Sequence, residues 1–200
     1  MILFRQRIRG PIWSGGDAAA AVVVGPGREG EGITGVSLGN MGALGGTVAM
    51  AHPRFTRGYE KLTFAASNRE MGEMAIGLLR KSAEEALARS GDRMEDMDWV
   101  LPHQPNGVMF SAMVKALGVD PGKTVPVVGE IGTTGAAAIP VSLDRLMRTR
   151  GVKAGDRILM VSVGTGVSFG AMVYRVAPGR FRIAPTPYLA VPRSSPRGSW

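Results

Sequence analysis

The chain has 200 residues, 44% of them hydrophobic and 20% charged, which suits one ordinary soluble domain with room for a sizeable core. It contains no cysteine, which excludes disulfides and thiolate chemistry within these residues, and with only two distant histidines a zinc site is not expected. The net charge of +8 sits mostly at the ends: three arginines in residues 1–10 and four in residues 176–200, with no acid in either stretch, supply seven of the eight charges. Such ends could hold an acidic carrier protein or RNA, but they read as solvated tails.

Residues 1–13 match no pattern and form an unassigned leader, and the apolar run that follows, Ala18 to Val24, is too short and badly placed for a signal-peptide core. Ala18 to Val24 reads as an apolar strand stopped by Gly25-Pro26-Gly27. Ile33 to Leu38 alternates weakly as a second strand, and Gly39 to Gly46 is a glycine-rich loop. Ala51 to Thr63 has no clean period and reads as loop, with His52 on its surface. Ser67 and Glu70 have capping-box spacing ahead of an apolar stripe from Met71 to Leu87, and Gly91 closes that helix.

Trp99 to Leu101 reads as a short buried strand that Pro102 stops, so His103 falls at a strand's C-terminal mouth, where open α/β sheets present ligand-facing residues. A helix from Val108 to Leu117 stops at Gly118, and Thr124 to Val128 reads as a strand between glycines. The segment after Gly132 turns into a helix that crosses Pro140 and runs to Arg150, with Gly151 as its cap and Thr134 capping its start. Arg157–Val163 and Val167–Val176 pair across the Gly164-Thr165-Gly166 turn. That turn lacks the spacing of a phosphate-binding loop, as does Gly122-Lys123-Thr124. From Ala177 the tail holds five prolines and four arginines and reads as extended or disordered. No apolar run approaches the ~18 residues of a membrane span, so a cytoplasmic protein is expected.

Four segments in order carry a family resemblance. Asp98-Trp99-Val100-Leu101-Pro102-His103-Gln104-Pro105-Asn106 resembles the D-W-x-x-P-H-Q-x-N signature of the 3-oxoacyl-(acyl-carrier-protein) synthase III family. Gly132 to Pro140 resembles its G-N-T-x-x-A-x-x-P segment, Gly164 to Ala171 its terminal glycine-rich strand pair, and Gly16 to Val24 its G-D-G-A-x-A-x-V strand. The match runs from about Gly16 to Arg175 and covers only the C-terminal half of such an enzyme. It implies an α/β fold, a mixed sheet covered by helices that is half of a thiolase-like pseudo-dimer, over residues 14–176, followed by a basic, Pro-rich tail (177–200).

The resemblance also implies a chemistry. In the family a first-half cysteine takes an acyl group from a thioester, and a second-half histidine and asparagine hold the thioester carbonyl as carbon dioxide leaves. A developing oxyanion needs fixed donors in a dry pocket. His103 matches the histidine, while the asparagine position holds Thr133, a shorter donor with a rotatable proton. Asn106 would orient the substrate arm or the histidine, Gly164 and Gly166 would flank the pocket, and Val108 stands where the family often has a carrier-binding arginine. His103 could alternatively serve as general base in acyl transfer to an alcohol or amine. The expected function is an acyltransferase in fatty-acid or polyketide-like synthesis, with no metal or bound cofactor, using coenzyme A or carrier-protein thioesters. Its cysteine would come from an N-terminal-half partner, and the chain would form a homo-oligomer or a heteromer with that Cys-bearing half. The alternative is a non-catalytic scaffold half or remnant. Few aromatics (6%) argue against nucleic-acid binding.

Overall fold

The computed structural model describes residues 16–50, 62–64 and 67–178. The leader, His52, nearly all of the 51–63 loop and residues 179–200 of the tail lie outside the described residues. Of that loop, Leu62 and Thr63 fall in a short strand.

Among the described residues there are six strands: β1 (Gly32–Asn40), β2 (Val48–Met50), β3 (Leu62–Phe64), β4 (Trp99–Pro102), β5 (Arg157–Gly164) and β6 (Ser168–Arg175). The helices are α1 (Asn68–Ser90), α2 (Gly107–Leu117), a single turn α3 (Val128–Ile131) and α4 (Ala138–Thr149). The main sheet runs β1-β6-β5-β4, antiparallel at β1–β6 and β6–β5 and parallel at β5–β4, with β2 and β3 paired apart from it. This is the mixed α/β arrangement expected.

Side-chain alternation along the strands builds two cores, one on each face of the sheet. Leu159, Val161 and Val163 of β5 and Ala171 and Val173 of β6 meet Leu79, Ala83, Ala86 and Leu87 of α1 and Met113 and Leu117 of α2. On the other face Leu101, Ile158 and Met160 meet Val141 and Leu146 of α4, with Val125 and Val127. The start of α1 is fixed by the anticipated reciprocal cap: Glu70 donates its N–H to Ser67 Oγ, and Ser67 donates its own to the Glu70 carboxylate. Gly91 ends α1 at φ 74°, a left-handed turn that favours glycine.

α4 covers β4 and β5 but leaves the β1 side of its face open. Ser37 donates to Glu85 of α1, so Leu38, the next residue, points to the opposite face. Leu38 is 81% exposed and Ile33 52%. Against the α1 face β1 comes very close: a Cβ on Gly35 would lie 2.2 Å from Ala86 O.

Two expected strands do not form. Residues 18–24 pair with no strand among the described residues; Val22, Val23 and Val24 are exposed, Val23 completely. An apolar, β-branched run supplies only half of a ladder, and the other half must come from a neighbour. The arm is anchored at its start, where Gly16 donates to Thr133 O and Ala18 packs on the α4 core. Thr124 is extended and the 124–127 segment is buried in part, yet it has no strand partner; a side chain, Gln104, takes up its backbone groups instead, Val127 already has a helical backbone, and α3 begins at Val128. α4 starts later than expected, after a 3-10 turn over Gly135–Ala137, and carries Pro140 in its first turn, where no amide is missed.

Candidate active site at the mouth of β4

Pro102 is the last residue of β4 and, without an N–H, cannot extend the ladder. His103 nonetheless keeps register, donating its N–H to Val161 O at 2.9 Å. That bond fixes the backbone from which the imidazole projects. The ring is largely buried, and burial pushes its pKa below the usual value near 6.5. Its Nδ1 is buried and has no hydrogen-bond partner among the described residues. A neutral imidazole with an open ring nitrogen can donate to a developing oxyanion or accept a proton, depending on its tautomer.

Asn106 begins α2. Its Oδ1 accepts from Met109 N at 2.9 Å as an N-cap, which leaves the amide nitrogen as the end free to meet a substrate. Val108, exposed, follows in the first turn.

Thr133 is half-buried in the loop between α3 and the 3-10 turn, and its carbonyl receives the Gly16 amide at 2.8 Å. The approach is so close that a Cβ on Gly16 would overlap Ile131 O, at 1.8 Å. Thr134 departs from expectation. It holds the N-cap position of the 3-10 turn, but its side chain makes no cap bond, because at φ −116° and ψ 20° the backbone is not in the extended form that aims a hydroxyl at the helix amides. Its Oγ1 is instead buried without a partner. The loop that matches the family's asparagine segment thus presents a second open polar atom, one residue beyond the position to which the motif points.

Gly164 ends β5 and Gly166 sits in the three-residue turn at φ 118°. Gly164 is exposed at the same, C-terminal end of the sheet as His103, since β4 and β5 run parallel. A groove of about 390 Å³ between α1 and α2, lined by Arg80, Glu84, Asp92 and Leu117 among others, includes none of these residues. The chemistry-bearing atoms at the mouth of β4 lie away from this groove. No group of acidic or histidine side chains among the described residues could hold a metal ion. No described helix is long and apolar enough to cross a membrane.

Gln104 carries no role in the sequence reading beyond its place in the motif. In the structure it is 1% exposed and bonded at both ends of its carboxamide. A polar residue two positions beyond the end of a buried strand was the available signal.

Residues 87–176 match the family model described as 3-oxoacyl-[acyl-carrier-protein (ACP)] synthase III C terminal. Over these residues the chain is similar to the C-terminal half of synthase III enzymes. A beta-ketoacyl-[acyl-carrier-protein] synthase III of Desulfitobacterium hafniense is 35% identical over 167 residues, covering 80% of this chain and 50% of the relative. The Chlamydia pneumoniae enzyme of the same name is 32% identical over 168 residues, with the same coverage. Among solved structures, the synthase III of Thermus thermophilus superposes with a TM-score of 0.67 at 28% identity, over 76% of this chain and 48% of that one. The Pseudomonas aeruginosa synthase III, at 21% identity, shares the fold with the same score. The chain therefore spans about half the length of the synthase III relatives it matches, and its fold is the C-terminal half of a thiolase-like architecture.

Proposed function

We propose that this chain supplies the oxyanion-holding half of a synthase III-type acyltransferase, with acyl thioesters of coenzyme A or a carrier protein as substrates. One observation carries the reading: His103 stands at the mouth of β4 with its buried Nδ1 open and its ring kept neutral by burial. No cysteine occurs in the 200 residues, so a thiol nucleophile comes from outside them, in an N-terminal-half partner. The uncovered side of the sheet at Ile33 and Leu38, and the exposed valines of the 22–24 arm, are surfaces for that half to bury.

In the transfer, the acceptor's oxygen or nitrogen attacks the thioester carbonyl and the carbonyl electrons move onto oxygen. A donor from His103 or from the Thr133–Thr134 hydroxyls steadies that charge. Collapse breaks the C–S bond, and the thiolate leaves with the proton lost by the acceptor. Where the acceptor is an alcohol or amine, His103 is the base that relays this proton, and the oxyanion donor is then a Thr133 or Thr134 hydroxyl.

A second reading, a scaffold half that completes a condensing enzyme without turnover, is favoured by threonine at position 133, where the family motif has asparagine. Mass spectrometry separates the two. The chain is incubated, alone and with candidate N-terminal-half chains, with a panel of acyl-coenzyme A thioesters. Product that disappears in His103→Ala supports the acyltransferase. A stable complex that neither takes up acyl groups nor turns over supports the scaffold.

A further inference from the structure

A carboxamide offers two donors and two acceptor lone pairs, and Gln104 uses all four. Its Oε1 accepts from Val127 N at 2.8 Å and Val128 N at 3.0 Å, and its Nε2 donates to Val125 O at 2.8 Å and Ser142 Oγ at 3.0 Å. Ser142 in turn donates to Ala138 O at 2.9 Å. The amide orientation is fixed by its partners, since a flipped group would face two N–H donors with its own N–H bonds. These bonds tie together three pieces of chain. One is the end of β4 that carries His103. Another is the 125–128 segment, which leads through α3 into Gly132 and Thr133. The third is α4, which leaves the far side of the Thr133–Thr134 loop.

We infer that Gln104 is the positioning residue of this site, setting the loop of Thr133 and Thr134 against the strand end of His103. No ladder connects the 125–128 segment to the sheet, so the side chain stands in for a strand partner. The loop is thereby held from both flanks, through Val128 before it and Ser142 after it. The significance for catalysis rests on the proposed role of His103 and Thr133; the positioning itself does not. A methionine of similar volume would leave two buried amides and a buried carbonyl without partners. A glutamate could still accept from Val127 and Val128 but could not donate to Val125 O.

The test compares Gln104→Met, Gln104→Glu and, as a destabilised control remote from the loop, Val173→Ala. Val173 is fully buried in the core on the α1 side. Two readouts are taken at matched distance below each melting temperature: amide exchange over residues 127–137, and the imidazole Cε1–H signals of His103. The chain has two histidines, so a His52→Asn background leaves His103 alone in the spectrum. In Gln104→Met, exchange over 127–137 is expected to rise tenfold or more above the Val173→Ala control, with His103's signals shifted or split. Gln104→Glu should retain protection at Val127 and Val128. Should Gln104→Met fail to fold, Ser142→Ala removes one of the four bonds and should show a smaller rise in the same segment. Exchange and imidazole signals indistinguishable from those of Val173→Ala would overturn the inference. Neither readout needs turnover, so absence of acyl transfer would count against the proposed activity and leave this result standing.

Discussion

Leu38→Asp is the sharpest probe of the uncovered sheet face. Full burial of a leucine side chain is worth about 1.5–3 kcal/mol, and Leu38 has 81% of its surface still exposed. Covering it therefore contributes about 1.2–2.4 kcal/mol, or roughly eight- to sixtyfold in an association constant. A carboxylate there forfeits that gain and adds a desolvation cost, so eightfold is the floor. The isolated chain is expected to self-associate through this face, in sedimentation runs across a concentration series. Leu38→Asp should raise the dissociation constant by at least that factor and leave the melting temperature within about 2 °C, because an exposed site makes few contacts to lose. Val108→Asp is the matched control: it is equally exposed, at 81%, but belongs to α2, on the other side of the sheet. A wild-type chain that stays monomeric at high concentration would refute the reasoning, as would equal weakening by both substitutions.

Gly35→Ala should destabilise by about 3 kcal/mol, the upper end for overpacking, because its Cβ would lie 2.2 Å from Ala86 O and 2.8 Å from Ser90 N, both backbone atoms of α1. Gly77→Ala, on the open surface of α1, should instead stabilise by up to about 1 kcal/mol; urea denaturation of the pair checks the opposite signs. His103 has a folded pKa depressed below 6.5 by burial, so below that value the unfolded chain binds the proton first. Stability is therefore full above pH ~6.5 and falls as pH drops towards the folded pKa. Thermal melts from pH 8 to pH 5 should show His103→Gln losing less stability than the parent, and parallel profiles would contradict the burial argument.

Local signals in the sequence were sufficient wherever local physics decides the outcome. The Ser67–Glu70 box and Gly91 bracket α1 because both caps are made within a few residues. Pro102 ends β4 and Asn106 starts α2 for the same reason. The two strand expectations that failed did so for non-local reasons. Thr124–Val128 has a strand's composition, but its backbone is met by a side chain from twenty-odd residues upstream, which no period can register. The 18–24 run has a strand's composition too, and lacks a neighbour among the described residues. Within the site, the motif locates His103 and Thr133, but the buried free hydroxyl belongs to Thr134, a matter of one backbone torsion that residue identity does not encode.

The valine arm has a consequence for the cell as well as for the fold. Three consecutive exposed valines on backbone that pairs with no strand among the described residues form a template that any open sheet edge can read. A chain made faster than its covering surface will pair with itself or with foreign edges, and the surplus becomes a substrate for chaperones and proteases. With the proposed N-terminal-half partner as the cover, its supply would set the steady-state level: over-expression alone should yield inclusion bodies, and co-expression with that partner should raise the yield of both.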